Sequence, residues 1–152
     1  MSPCDEESGK LTNPKDAIGG TKLPVHLVSP VVKAYQSIAH YLGNVKYGAH
    51  NYIACGARAS VYKAACDRHM DAWWSGEEFD PADGTPHLAN AMACIGILIE
   101  CGEAGNLNDD RPPSTDYSAV RAKLELIMAR ILAQHGDKNP RHYTIADTAV
   151  RL

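Results

Sequence analysis

A chain of 152 residues with 45% hydrophobic composition has room for one domain with a core and not for two comfortable ones. Its net charge of −3, with no basic block among the 15 lysines and arginines, argues against a nucleic-acid polymer as partner and points any nucleic-acid-related role to free nucleotides. Five scattered cysteines (Cys4, Cys55, Cys66, Cys94, Cys101), the acidic start MSPCDEESGK and the lack of any run long enough to cross a bilayer point to reduced thiols, no membrane partner and a soluble, cytoplasmic protein.

Residues 1–12 are short of apolar side chains and read as a flexible tail. NPKDAIGGTKLPVHLVSP follows, rich in glycine and proline and carrying Lys15, Asp16, Lys22 and His26. Two readings stay open for it: a surface linker, or a turn in which Gly19 and Gly20 let backbone approach a phosphate while Lys22 supplies charge. Ser29-Pro30 opens the first clear helix, whose buried stripe of Val31, Val32, Tyr35, Ile38, Ala39 and Leu42 stops before Gly43. A loop with Lys46, Tyr47, Gly48, Asn51 and Tyr52 then runs to Gly56. It is either ordinary turn chemistry or a place where Tyr52 offers a stacking face and Lys46 a phosphate contact.

A second helix spans about Arg58 to Ser75, with Val61, Tyr62, Ala65, Met70 and Trp73 as its apolar stripe and Gly76 as its terminator. Asp67 and Asp71 share one face of it, and His69 beside Met70 is a boundary histidine unless a ligand gives it work. Trp73 and Trp74 are adjacent, so one fills the core while the other meets a ligand or partner chain. Thr85-Pro86 starts the third helix, with threonine as N-cap and proline at the first helical position. That helix reaches about Glu103 and is apolar most of the way round, which predicts contact with a second subunit through Ala89, Ala93 and Gly96. Thr115 or Asp116 caps a fourth helix, whose Val120, Leu124, Ile127, Met128 and Ile131 form a stripe ending before Gly136. Residues 137–152 have no sustained period and are expected as a C-terminal extension wrapping a neighbouring subunit. There is no strand-like alternation.

Between the second and third helices sit Glu77, Glu78, Asp80 and Asp83, followed within the next helix by His87 and Asn90. His87 and Asn90 are three apart, hence on one helical face turned toward the acidic loop. Hard oxygen donors with one imidazole and one amide suit Mg²⁺ or Mn²⁺ better than zinc, and a carboxylate-held divalent cation is what phosphate chemistry needs. The plain alternative is a solvated connection in which Asp83 and Gly84 make a turn.

NPKDAIGGTK, KYGAHNY and RHMDAWWSGEEFDPADGTPHLANA, in that order, resemble the phage family of dATP/dGTP diphosphohydrolase-like proteins over roughly Asn13 to Glu100. The family is similar to the MazG/HisE nucleoside triphosphate pyrophosphohydrolases. The resemblance implies an all-α fold, a small MazG/HisE-like bundle of four to five helices over 13–136, assembled as a homodimer or homotetramer. It also implies Mg²⁺-dependent cleavage between the α- and β-phosphates, with Mn²⁺ as a substitute ion. The implied substrate is dGTP or GTP, serving 2-aminoadenine nucleotide synthesis in a phage, with dATP as the alternative.

Carried over by position, the family's acidic block falls on Glu77, Glu78 and Asp80 as catalytic carboxylates, and its histidine on His87. Its Arg-His pair falls on Arg68 and His69, and its early lysine on Lys22. The expected metal set is Glu77, Asp80, His87 and Asn90; the expected substrate contacts are Lys22, Lys46, Asn51, Tyr52, Arg68 and His69. This chain departs from the family at Asn90, where the pattern has a second histidine, and at Tyr52, where it has tryptophan. It also lacks the MazG arrangement of paired glutamates followed by Glu-x-x-Asp. A non-catalytic helical oligomer is the rival reading; an HD-type triphosphohydrolase is disfavoured because no His-Asp dipeptide occurs.

Overall fold

The computed structural model describes residues 13–148, so the expected tail at 1–12 lies outside the described residues. The protein is all-α, with four long helices and two short ones among the described residues. In order these are α1 (Pro14–Gly19), α2 (Pro30–Tyr47), α3 (Asn51–Cys55), α4 (Ala59–Trp74), α5 (His87–Glu103) and α6 (Tyr117–His135). Three single 3-10 turns lie at Val25–Leu27, Gly136–Lys138 and Ile145–Asp147. Among the described residues no helix is long and apolar enough to cross a membrane.

Helix α5 is central, packed along α4 on one side and α2 on the other. The buried apolar residues among those described are small: Ala39, Ala57, Ala59, Ala89, Ala91, Ala93, Cys94 and Cys101. Side chains this short let helix backbones approach closely, and Ala39 of α2 meets Ala89 and Ala93 of α5 in one cluster. Ala89 and Ala93 were expected at a subunit contact, but they are spent inside the chain against α2. Gly96 likewise faces Gln36 of α2, so the apolar residues of α5 left open are Ile95 and Ile99.

Helix α2 departs from its expected form in two ways. It does not stop at Gly43 but continues to Tyr47, ending at Gly48, whose φ of 91° breaks the helix. Its shielded row is Gln36, Ala39, His40, Leu42 and Gly43, whereas Val31, Val32, Tyr35 and Ile38, expected in the core, are exposed. In α4 the row turned inward is Tyr62, Ala65, Cys66, His69, Ala72 and Trp73. Val61 and Met70, assigned to the stripe by hydropathy, stand exposed, and so does Trp74 beside the half-buried Trp73. The row follows helical phase, and hydropathy misplaced it by one residue at each end.

Lys46 and Tyr47 form the last turn of α2, and Asn51–Cys55 is a helix where a loop was expected. The supposed linker begins with α1, closed by a capping box between Asn13 and Asp16. Two-residue strands, unforeseen from sequence, pair in parallel: β1 (Ala57–Arg58) with β2 (Leu107–Asn108). Asn106 donates its side-chain amide to the Ile53 carbonyl, and the Cys101 thiol reaches the Tyr52 carbonyl at 3.3 Å. These contacts tie α3 to the far end of α5. Helix α6, capped by Asp116 accepting from the Ala119 N–H at 3.0 Å, is exposed at every position, its apolar stripe included. Ile145 folds back onto Gly76 of the same chain.

Candidate active site

The acidic loop is an ordered element. Helix α4 ends in a Schellman motif, with the Gly76 N–H donating to the Trp73 carbonyl at 2.9 Å and the Glu77 N–H to Ala72 at 3.0 Å. Gly76 sits at φ 98°, a conformation that a side chain would resist. Past it the chain folds into a hairpin, in which the Asp80 N–H donates to the Thr85 carbonyl at 2.8 Å and the Gly84 N–H to Asp80 at 2.7 Å. Asp80 Oδ1 accepts from the Ala82 N–H at 2.9 Å, an Asx turn that fixes its carboxylate. The His87 N–H donates to the Glu78 carbonyl at 3.1 Å, which joins the hairpin to the start of α5. That helix begins one residue later than expected: Pro86 occupies the cap, and the Thr85 hydroxyl is taken up by Asp83 and Asn90.

At the centre is His87, 4% exposed. Its Nε2 lies 2.7 Å from Glu77 Oε1, and its Nδ1 lies 2.9 Å from Nδ1 of His69 on α4. A ring N–H donated to a carboxylate fixes the tautomer and leaves a lone pair on the other nitrogen, the arrangement that orients metal-binding histidines. His69, Asp80 and His87 each bring a ligand atom to within 4.8 Å of the others. These three side chains can hold a cation. Two nitrogens 2.9 Å apart match neighbouring corners of an octahedron with bonds of about 2.1 Å. Burial, then the neighbouring His87, lowers the pKa of His69, which keeps the imidazole neutral as a metal ligand must be.

Asp83 adds charge at the rim. Its carboxyl is held below the usual range by the Thr85 hydroxyl and N–H and by Lys46, whose Nζ is 3.3 Å away. Asn90 donates its side-chain amide to Thr85 Oγ1 at 2.8 Å. From this end a depression of about 260 Å³ opens between α2 and α5, lined by His69, Asp80, Asp83, Asn90, Lys46 and Tyr47 among others. It shares Ala39, Gly43, Tyr47, Ala93 and Ile97 with a second cleft of about 570 Å³. That cleft continues to His40, Asn44, His50, Asn51, Tyr52 and Tyr62. His50 takes the left-handed conformation at φ 57°, and the rings of His40 and His50 stand 6.0 and 6.4 Å from Tyr52. The two depressions therefore abut along a shared wall, a groove in two parts with the His69, Asp80 and His87 cluster beside one part and aromatic and amide side chains lining the other.

A family model described as the dATP/dGTP diphosphohydrolase N-terminal domain matches residues 12–111. The chain belongs to the dATP/dGTP diphosphohydrolase family. Neither a curated protein nor a solved structure matches it. The family is one of nucleotide diphosphohydrolases, and the match covers α1–α5, both strands and the whole groove, while α6 lies beyond it.

The residues expected from sequence fall into three places. Asp80 and His87 lie together, with Glu77 on the outer nitrogen of His87 and Asn90 one step away through Thr85. Lys46, Asn51 and Tyr52 line the groove. Arg68 is exposed on α4, Glu78 is exposed at the hairpin's outer edge, and Lys22 is exposed in the turn after α1, where neither Gly19 nor Gly20 has a positive φ. The grouping of His69 with the two metal candidates was not foreseen, since sequence reading set it among substrate contacts. The signal for it was its phase with Tyr62, Ala65, Cys66 and Trp73 on α4.

Proposed function

We propose that this diphosphohydrolase cleaves dGTP, and GTP as its ribonucleotide counterpart, between the α- and β-phosphates, giving a monophosphate and pyrophosphate. The supporting observation is the wall shared by the two parts of the groove: a triphosphate laid by His69, Asp80 and His87 would carry its base past that wall toward Asn51 and Tyr52. His69, Asp80 and His87 would hold Mg²⁺, with Mn²⁺ as a substitute, and Glu77 and Asn90 would complete or support the set. When bound, that ion supplies charge neutralisation at phosphate oxygens and acidifies water. Glu77 fixes the His87 ring. Glu78, exposed in the hairpin that carries Asp80, would have to turn toward the cluster to take a proton from the water that attacks the α-phosphorus as the pyrophosphate oxygen departs. Lys46 leaves Asp83 to meet the outer phosphates, with Lys22 and Arg68 adding positive charge. Tyr52 stacks on the base and Asn51 hydrogen-bonds its edge.

The preference for guanine and a place in a phage's 2-aminoadenine nucleotide metabolism follow the resemblance to cyanophage MazZ. Assembly as a homodimer or homotetramer is supported by the open apolar stripe of α6. A panel of nucleotides with Mg²⁺ and Mn²⁺, with products identified, tests the reading. Pyrophosphate with dGMP supports it, dAMP from dATP alone would reassign the base, and no turnover of any nucleotide would leave a non-catalytic helical protein. Glu77→Gln should abolish pyrophosphate release without changing the molecular mass in solution, and full retained turnover would remove Glu77 from the machinery.

A further inference from the structure

Gly43 stands in the interior of α2, between Leu42 and Asn44, where glycine weakens a helix relative to alanine. Among the described residues nothing repays that weakness. A β-carbon built on Gly43 meets no atom within 4 Å, so neither close packing nor a strained backbone calls for glycine there. Gly96, by contrast, would drive a β-carbon into Gln36 at 2.7 Å. Gly43 lies one turn after Ala39, the residue through which α2 touches Ala89 and Ala93 of α5. One turn further on, that contact is gone and Gly43 lines both the cation-end depression and the aromatic cleft. The shared floor is otherwise Ala39, Ala93, Ile97 and Tyr47, apolar except for one phenol.

We infer that Gly43 is a substrate-binding position, the clearance through which the nucleoside sugar crosses α2 between the triphosphate end and the base end of the groove. The inference rests on the nucleotide reading of the groove and adds to it the residue that admits the sugar. The furanose lies with its carbon face on Ala39, Ala93 and Ile97, and the missing side chain at 43 is the volume it fills. A methyl group there occupies ligand space while improving the helix, so stability and binding move in opposite directions.

The test is Gly43→Ala, compared with wild type and with Gly102→Ala. Gly102 lies in α5, and its added β-carbon also meets nothing, but it lines neither part of the groove. For Gly43→Ala the melting temperature should rise by roughly 1–4 °C. KM for the best nucleotide should rise about tenfold or more with kcat little changed, the penalty of overfilling a packed site. Gly102→Ala should leave KM where it was. An unchanged KM in Gly43→Ala overturns the inference. So does a lower melting temperature, which would mean the position is packed after all, or an altered solution mass with KM unmoved, which would give the clearance to a second copy of the chain. A wild type that turns over no nucleotide sinks the functional reading first, and that failure is seen before any variant is compared.

Discussion

Thr85 joins a polar chain that crosses the site, and removing its hydroxyl tests how far that chain holds the acidic hairpin in place. Lys46 Nζ lies 3.3 Å from Asp83, Asp83 Oδ1 accepts the Thr85 N–H at 3.1 Å and its hydroxyl as well, and Thr85 Oγ1 accepts the Asn90 amide at 2.8 Å. Thr85 is 7% exposed. Thr85→Val keeps the shape and breaks two of these bonds, one to a charged acceptor at about 1.5–3 kcal/mol and one neutral at about 0.5–1.5 kcal/mol. The Asp83 side chain keeps 20% exposure, so water recovers part of the loss and a net cost of about 2 kcal/mol is expected. In a chain of this length that lowers the melting temperature by roughly 4–8 °C. Urea titration of the metal-free protein should give the same difference with an unchanged slope. Thr85→Ser restores the hydroxyl and should recover most of the stability. A valine variant within about 0.5 kcal/mol of wild type, or a serine variant no better than valine, refutes the reasoning.

Mn²⁺ should raise the melting temperature of the wild type, by an amount equivalent to about 2.7 kcal/mol at a hundred times the dissociation constant. His87→Ala should remove that rise, and a variant still stabilised by Mn²⁺ would place the cation elsewhere. Stability of the metal-free protein should fall as pH drops below about 6.5, because the pKa of His69 is lowered in the fold and the unfolded chain takes the proton first. A second loss should begin below about 3.8, where the depressed Asp83 carboxyl acts in the same direction. His69→Gln should flatten the first decline and leave the second, and an unchanged profile would assign the neutral-side loss to another group. Ile127→Asp, in the open stripe of α6, should reduce the mass measured by light scattering toward the 16.4 kDa of one chain. A variant that keeps the parent mass puts the subunit contact on another surface.

The helices were legible because their punctuation is local. Ser29 caps α2, Asp116 caps α6 and Gly76 ends α4, all as read from residue type. Gly43 was misread as a stop because a glycine in a helical pattern has the same local signature whether it ends the helix or clears space beside it. The phase of α4 was misjudged because Val61 and Met70 are apolar yet exposed, while His69 is polar and turned inward. Hydropathy alone cannot follow a helix that buries its histidine. The β1–β2 pair joins residues 50 apart in sequence, beyond the reach of any short-range pattern. The acidic loop was seen, but its hairpin depends on backbone bonds between Asp80, Thr85 and Gly84 that residue types do not announce. Lys22 came from a glycine-rich turn as well as the resemblance, Arg68 from the resemblance, and both side chains stand exposed.

The attachment of α3 to the last turns of α5 makes that helix a gauge. His87 stands in its first turn, and Cys101, which holds the Tyr52 carbonyl, lies fourteen residues on. At 1.5 Å per residue that is roughly 21 Å of stiff rod. The spacing between the acidic hairpin and the anchor of α3 is thus written in a count of helical residues. Deleting one residue between Ile95 and Glu100 would shorten the rod by about 1.5 Å and swing Cys101 about 100° around its axis. Both ends would keep their own chemistry while losing their alignment. Changes of length in 112–115, past β2 and the Asp110 contact with Ser60, should be borne far more easily.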